Sequence, residues 1–394
     1  MTILKDIAWR IVSTSPFDPI RPRICHSNMY RLIGKTKRSK HELSTIVFGR
    51  RETSEYFSKL VYLDEPMPEF LGRRNFSNIP SFLEDAAEDV VIVETDWSFL
   101  GFLRDNGFLV LPQINFALDI TGSWETIQGR MARSKVRRMS GVVEAGYTFE
   151  ITKDLEKLRS FYHEMYLPHM YAKHGKSALP VSYLECKRLF LGGCLMLVKR
   201  GQEYAAGIIL VPQGDELYEP LIAVKGNRKQ MTLGSYAATY YTIVFGMKEG
   251  YSRVNFGNAP PFMHDGLFQY KKEWGMQIRP LKGSGSQVLG MRLFGKSKAL
   301  MDFLSENPFV FVQGDSLKGV FLLDPADRRL PNVSNIVGLS SFFVISSSYL
   351  GSNYPQLEES YAEKHSFQSK MSLRDFAPFL NENEWEIQEL SLKT

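Results

Sequence analysis

Cysteine is scarce in this chain of 394 residues; Cys25, Cys186 and Cys194 are the three it has. Their spacing fits neither a metal site nor a disulfide framework, which excludes a stapled secreted scaffold and suits a reducing compartment. Met1–Arg10 has no apolar core of the kind a secretory signal needs. Long apolar runs are missing too. The stretch between Arg329 and Glu358 carries no charge and Ile336–Ile345 is apolar, but Pro331, Asn332, Asn335 and a run of serines interrupt it. A membrane helix needs about 20 mostly apolar residues. The stretch therefore reads as a buried strand or helix, with membrane contact as the alternative, and the expected location is cytoplasmic without stable membrane insertion. Charge imbalance is small. A net charge of +5 does not demand nucleic acid. No internal repeat is visible, and the tail after Gly290 holds no chemical motif. His163, His169 and His174 sit at i, i+6 and i+11, off any common helix face, so no metal is expected.

What is present is ordinary globular composition, 44% hydrophobic and 23% charged. The length suggests two or three domains, or two halves sharing one sheet. Residues 1–45 carry nine Lys/Arg against three Asp/Glu and are broken by Pro16, Pro19 and Pro22; they read as a basic irregular segment, either solvated or an anion-binding lip. Strands around a turn at Arg50–Thr53 are expected over Ser44–Leu63. Helix Ile79–Asp89, strand Val90–Glu94, helix Asp96–Asp105 and a long strand Phe108–Ile120, bulged or at an edge because of Pro112, follow. Residues 46–123 thus form an α/β unit of their own. Trp124–Ala145 reads as one helix with Arg130, Arg133 and Arg137 on one face. No acidic residue lies between Glu125 and Glu144. Strand Tyr147–Ile151, a helix or helix pair over Lys153–Lys173 broken near Pro168, and helix Pro180–Phe190 come next.

The densest signal runs from Cys194 to Arg279. Cys194–Lys199, Tyr204–Val211 and Leu217–Val224 read as a meander separated by turn residues. Gly234-Ser235 opens a helix over Tyr236–Lys248, then come strand Arg253–Phe256, helix Asp265–Trp274 and strand Met276–Leu281. A meander feeding a helix start is a natural phosphate cradle, because backbone N–H groups there lack partners. The alternative is a plain turn into a helix. Beyond residue 290, a 291–394 extension packing on the core is expected, with a hairpin of Phe309–Gln313 and Gly319–Asp324, a strand Ser340–Ser348 and a helix Leu373–Leu380.

Three places carry a likeness to a known group: Arg133-Ser134-Lys135-Val136-Arg137-Arg138 through Ala145-Gly146-Tyr147; Leu233-Gly234-Ser235-Tyr236 with Glu249-Gly250-Tyr251 through Gly257; and Gly266-Leu267-Phe268-Gln269-Tyr270-Lys271-Lys272-Glu273-Trp274-Gly275. Over about Val90 to Leu281 the chain resembles the Fem-type (FemAB-like) branch of the GNAT acyltransferases, including the BioF2-like acetyltransferase domains. The resemblance implies an α/β (α+β) fold of two GNAT-like mixed sheets with flanking helices, the first degenerate and the acyltransferase domain at 124–290. It implies transfer of an acyl or aminoacyl group to an amine of a small-molecule or cell-envelope acceptor. Acyl-CoA is then a co-substrate, with no cofactor tightly bound; an aminoacyl-tRNA donor is the alternative, and a non-catalytic binding protein on a decayed fold is a further one. The sequence departs from the family pattern at Met231, in the first position of the pyrophosphate loop, at Tyr236 in its last, and at Asn255, in the place of an aspartate.

Candidate donor contacts are Arg228, Lys229, Leu233, Gly234 and Ser235. Arg137 and Arg138 suit phosphate or a substrate carboxylate, or form a solvated helix face; Asn258 and His264 join them as acceptor contacts. Acyl transfer to an amine needs a base and a stabiliser for the oxyanion. Glu219 is a candidate base, with His264 and Asp265 as rivals, although Asp265 also fits a helix N-cap. By the resemblance, Tyr270 protonates the leaving group, and Lys271 contacts a phosphate or the reacting carbonyl. Lys272 is expected to be largely solvated.

Overall fold

The computed structural model describes residues 26–38, 40–96, 107–175, 178–226, 228–280, 287–294, 297–322, 336–347, 367–370 and 385–392. Strands β1 (His26–Lys35) and β2 (Glu42–Phe48) pair antiparallel. The turn expected at Arg50–Thr53 is instead the start of helix α1 (Arg51–Val61), which has no side-chain cap of its own. A distant carboxylate takes that role: Glu94 accepts from Arg50 N at 2.9 Å and from the Thr53 hydroxyl at 2.7 Å. Local sequence could not show this helix start, because its cap comes from another strand.

Strand β3 (Glu69–Asn75), helix α2 (Ile79–Asp85) and β4 (Val90–Asp96) follow. The expected helix Asp96–Asp105 lies almost wholly outside the described residues. The expected long strand Phe108–Ile120 is two strands, β5 (Phe108–Val110) and β6 (Ile114–Asp119), and they belong to different sheets. Pro112 stands between them, where the chain leaves one ladder and enters the other.

The expected single helix Trp124–Ala145 is also two, α3 (Trp124–Gly129) and α4 (Arg133–Glu144). Ala132 N donates to Glu273 O at 2.8 Å in the break, so a later helix end docks there. Arg130 is therefore not in line with Arg133 and Arg137. Then come β7 (Tyr147–Thr152), α5 (Leu155–Ser160), a π-helical turn Phe161–Tyr166, α6 (Leu167–His174) and α7 (Tyr183–Leu191). Pro168 lies in the first turn of α6, and the widened turn precedes it.

The meander is β8 (Cys194–Arg200), β9 (Glu203–Gln213) and β10 (Glu216–Val224), and α8 (Arg228–Lys248) crosses over to β11 (Arg253–Ala259), parallel to β10. Helix α9 (Gly266–Glu273) and β12 (Gln277–Arg279) complete a seven-stranded sheet in the order β12-β6-β11-β10-β9-β8-β7. The chain then returns. β13 (Gln287–Leu293), α10 (Lys298–Glu306), β14 (Phe309–Gln313), β15 (Ser316–Leu322), β16 (Ser341–Ser347), β17 (Phe367–Lys370) and β18 (Trp385–Leu392) follow. Their strands join β1–β5 in an eleven-stranded sheet, ordered β17-β18-β16-β15-β14-β5-β13-β4-β2-β1-β3. Two mixed sheets with flanking helices make an α+β fold.

The expected boundaries at 45, 123 and 290 do not follow sheet membership. The described strands after 290 join the first sheet rather than forming an extension packed on a finished core, and β6 belongs to the second. The expected helix Leu373–Leu380 lies outside the described residues. No described helix is long and apolar enough to cross a membrane.

One core cluster joins the sheets: Phe116, Phe268 and Trp274 of the second pack together with Val310, Leu317 and Phe321 of the first. Gly275 seals this region. Its φ is +74°, and a Cβ there would lie 2.7 Å from the Arg130 carbonyl oxygen. Gly250 has a similar φ of +81° but open space around it. Gly250→Ala should cost only the left-handed backbone, about 1–2 kcal/mol. Gly275→Ala adds overpacking of about 1–3 kcal/mol. Denaturant unfolding of both variants measures the difference, and equal losses would show that the contact with Arg130 does not matter.

Candidate active site

β10 and β11 run parallel for three pairs, Glu216–Arg253, Leu217–Val254 and Tyr218–Asn255. Beyond these, both strands are interrupted at one level. β10 slips against β9 between Tyr218 and Leu221, where Pro220 has no N–H for a ladder. β11 slips against β6 between Asn255 and Asn258, where Gly257 takes a φ of +72°. Two neighbouring bulges leave main-chain groups off the ladder in the middle of a sheet, and such groups need partners.

Lys271 is one partner. Its Nζ donates to Phe256 O at 2.9 Å and to Asn258 O at 2.7 Å, from one residue on either side of Gly257. Helix α9 aims it there, and Asp265 starts that helix by accepting from Leu267 N at 2.8 Å and Phe268 N at 3.2 Å. Lys271 is 6% exposed. Burial pulls its amine down to about 7, with the charge of Lys173 in the same direction and Glu219 and Asp265 opposing.

Glu219 comes from the other bulge. It is buried, and its Oε2 accepts from the Thr242 hydroxyl of α8 at 3.2 Å. Burial pushes its carboxyl up to about 7, and the Thr242 bond and the charge of Lys271 restrain the rise. A carboxyl raised and an amine lowered toward the same pH, each acting on the other, titrate as a coupled pair.

Tyr270 turns its hydroxyl inward, 2.8 Å from the Thr239 hydroxyl and 3.4 Å from Ser235 O. Thr239 itself reaches Ser235 O at 3.1 Å. Whichever hydroxyl donates to the other, Ser235 O takes the remaining proton, so the Tyr270 proton is committed to α8. Burial is the main reason that its phenol is pushed far above the usual value. On its other side Lys135 is enclosed. Its Nζ donates to the Tyr236 hydroxyl at 2.9 Å, pairs with Glu273 at 2.8 Å and lies 4.5 Å from the Tyr270 ring centroid. Arg138 covers Tyr236 at 5.0 Å.

A polar network crosses four adjacent strands behind the bulges. Arg279 of β12 grips Glu216 of β10 through two hydrogen bonds of 2.6 and 2.5 Å, and its Nε donates to Asn115 Oδ1 of β6 at 2.6 Å. Asn115 Nδ2 donates to Asn255 Oδ1 at 2.9 Å and Asn258 Oδ1 at 3.0 Å. Asn255 Nδ2 donates to Glu216 Oε1 at 2.8 Å, and Asn255 Oδ1 accepts from Gly257 N at 2.9 Å. Burial alone would raise the Glu216 carboxyl, but the bonds from Arg279 and Asn255 hold it below the usual range.

The fold thus brings Glu219, Tyr270 and Lys271 within electrostatic reach of one another. Asn258 joins the network behind them. Asp265 is the cap of α9. His264 is exposed and faces Glu306 O of α10 at 2.8 Å, on the side of the first sheet. Gly234 is not at a helix start, because α8 begins six residues earlier. A Cβ at Gly234 would lie 2.6 Å from Val224 Cγ1 and 3.2 Å from Ala205 O, so the glycine serves close helix–sheet packing rather than an open phosphate cradle. Leu233 packs on the core and Ser235 lends its carbonyl to the two hydroxyls. Arg228 and Lys229 fall in the first turn of α8, and Arg137 lies exposed on α4. Lys272 is not solvated: it is buried, and burial lowers its amine. Sequence reasoning passed over Lys135, Thr239 and Thr242. The two threonines, three residues apart in an apolar helix, were the available signal.

No family model matches this chain, and no curated protein matches it. Among solved structures, it is similar to FemX at 13% identity and a TM-score of 0.37, covering 66% of this chain and 83% of that one. The C-terminal domain of a putative lysylphosphatidylglycerol synthetase from Agrobacterium fabrum is similar at 14% and 0.35, covering 70% and 83%. A GCN5-related N-acetyltransferase from Sphaerobacter thermophilus is similar at 9% and 0.32, covering 69% and 79%. These superpositions are loose, and the two-sheet architecture stands on the strand order and register above.

The buried carboxyl has a thermodynamic signature. Glu219 titrates near 4.5 when unfolded and at about 7 when folded, so between those values the native state holds more protons and stability falls as pH rises. Glu219→Gln removes this dependence. Its melting temperature relative to the native sequence should climb from pH 5 to pH 8, read by calorimetry across that range. A difference that stays flat would mean that Glu219 does not hold its proton to neutrality.

Proposed function

We propose that the protein is a transferase that moves an acyl or aminoacyl group from an activated, phosphate-bearing carrier to an amine. The observation that carries this reading is the buried pair at the parted strands, Glu219 and Lys271, each displaced toward neutral pH by the same burial. An amine attacks only after losing a proton, and a base matched to neutral pH is suited to take it. Glu219 as carboxylate accepts the N–H proton as nitrogen bonds to the acyl carbon. Lys271 as ammonium faces the oxyanion that forms. As the bond to the carrier breaks, the proton held by Glu219 passes to the leaving thiolate or alkoxide, which balances the step. Tyr270 need not supply that proton, since its own is held by Thr239 and Ser235 O.

The anionic carrier is supported by α4. Its exposed Arg133 and Arg137, with Arg138 over Tyr236, lie in a stretch without acidic residues between Glu125 and Glu144. Guanidinium groups with no acidic neighbour along their own helix suit phosphate. Acyl-CoA is the reading taken for the carrier. The long run of positive charge favours aminoacyl-tRNA as the second reading, because RNA offers many phosphates to it. A cytoplasmic enzyme acting on a small-molecule or cell-envelope amine completes the proposal.

Transfer from acetyl-CoA, longer acyl-CoAs and charged tRNA to a panel of amines tests it. Glu219→Gln and Lys271→Met should each lower turnover about a hundredfold or more in folded protein. Activity intact in both would remove the pair from catalysis and leave Lys271 as a plug for bulge carbonyls. The pH profile has a definite sign. Glu219 must be unprotonated, which favours pH above about 7, and Lys271 must be protonated, which favours pH below about 7. The profile should be a narrow bell near neutrality whose limbs belong to the coupled pair. Glu219→Gln should abolish the acidic limb in its residual activity; an unchanged bell would assign the limbs to other groups.

A further inference from the structure

Lys271 does not find its two carbonyls by chance. Phe256 O and Asn258 O point to it because β11 departs from its ladder between Asn255 and Asn258. A bulge in a central strand is held by whatever ties down its extra residues. Here the tie is Asn255. Its Oδ1 accepts from the N–H of Gly257, the residue between the two carbonyls, and from Asn115 Nδ2. Its Nδ2 donates to Glu216 Oε1. Both ends of the amide are used, and the side chain is 8% exposed.

We propose that Asn255 is a positioning residue, which fixes the catalytic lysine Lys271 by locking the bulge of β11 against the Glu216–Arg279 pair. The residue type follows from the contacts. Glu216 offers only acceptors to its neighbours once ionised, so position 255 must donate to it. Gly257 N–H and Asn115 Nδ2 are donors, so position 255 must also accept. An amide does both; a carboxylate does not. An aspartate here would face Glu216 across the 2.8 Å now spanned by the Asn255 N–H. Asn115 is the second link, because its Nδ2 bridges Asn255 Oδ1 and Asn258 Oδ1 across the same bulge. Arg279 anchors the far end.

The consequence for turnover rests on the transferase reading, but the positioning itself has its own readout. In full-length protein labelled with 13C at lysine Cε, the Lys271 resonance is assigned by its absence from Lys271→Arg and followed against pH. Asn255→Asp should move its titration midpoint upward by about one unit or more, because the loosened bulge lets water reach the amine and a carboxylate is added nearby. Asn255→Ala removes the same ties without adding charge and should shift the midpoint in the same direction, which separates the loosened bulge from the added carboxylate. Asn115→Ala should shift it in that direction by a smaller amount, which keeps a test available if the variants at 255 do not fold. A midpoint unmoved in folded Asn255→Ala or Asn115→Ala overturns the proposal. Cleavage of acetyl-CoA and deacylation of charged tRNA, measured on the same samples, separate the two ideas. If the midpoint moves while both activities stay constant, Asn255 positions Lys271 as proposed and the catalytic role of Lys271 falls.

Discussion

The parting of β10 from β11 is the constraint on which the rest of this structure depends. A sheet whose central strands separate must find partners for the main-chain groups that leave the ladder, and it must keep the opening from closing. Pro220 removes a donor on one side, and Gly257 takes a left-handed turn on the other. Lys271 then fills the acceptor side with its ammonium, and Glu219 enters from the opposing bulge toward Thr242. The titration behaviour of the pair follows from that placement. Both groups are buried, and the charge of each favours the charged form of the other.

The rigid surroundings of the opening follow from the same need. Behind it, Arg279, Glu216, Asn115 and Asn255 form a network whose donors and acceptors match across four strands. A network satisfied throughout stiffens its surroundings, whereas one missing partner would cost more than an apolar replacement. In front, Lys135 ties the basic helix α4 to Tyr236, Tyr270 and Glu273. The helix that carries the exposed arginines is thus in direct contact with the helix that carries Lys271. The second sheet is also held from outside: the first packs Val310, Leu317 and Phe321 against Phe116 and Phe268.

Much of the second sheet was legible in the residues. Turn-forming breaks at Arg200-Gly201 and Gln213-Gly214-Asp215 delimit a meander whose strands alternate or are wholly apolar, and β8, β9 and β10 occupy those stretches. Gly250 and Gly275, both with positive φ, lie just past the ends of α8 and α9, as glycines beyond a helix C-terminus do. Of the candidate site, Glu219 stands out between a tyrosine and a proline in a strand, whereas Lys271 is singled out by the resemblance alone. Where reading failed, a distant partner decided. Helix α1 was missed because Glu94 caps it, and α3 and α4 were merged because the docking of Glu273 O into the break has no local signature. A glycine near a helix start fits either a phosphate cradle or a plain turn, and the earlier start of α8 with the close approach to Val224 decides against the cradle.

The sequence by itself determined the periodicity of the strands, the positions of the turns and the chemical inventory: acids, amines, amides and hydroxyls sufficient for proton transfer. It could not determine their burial, because burial is a property of which elements face one another. Tertiary structure alone decided that the described strands after 290 return to the first sheet, that Lys272 is enclosed and that Asn255 both donates and accepts. It alone moved Glu219 and Lys271 toward neutrality, because a pKa responds to desolvation and neighbouring charge, and both arise only when segments far apart in the chain are packed together.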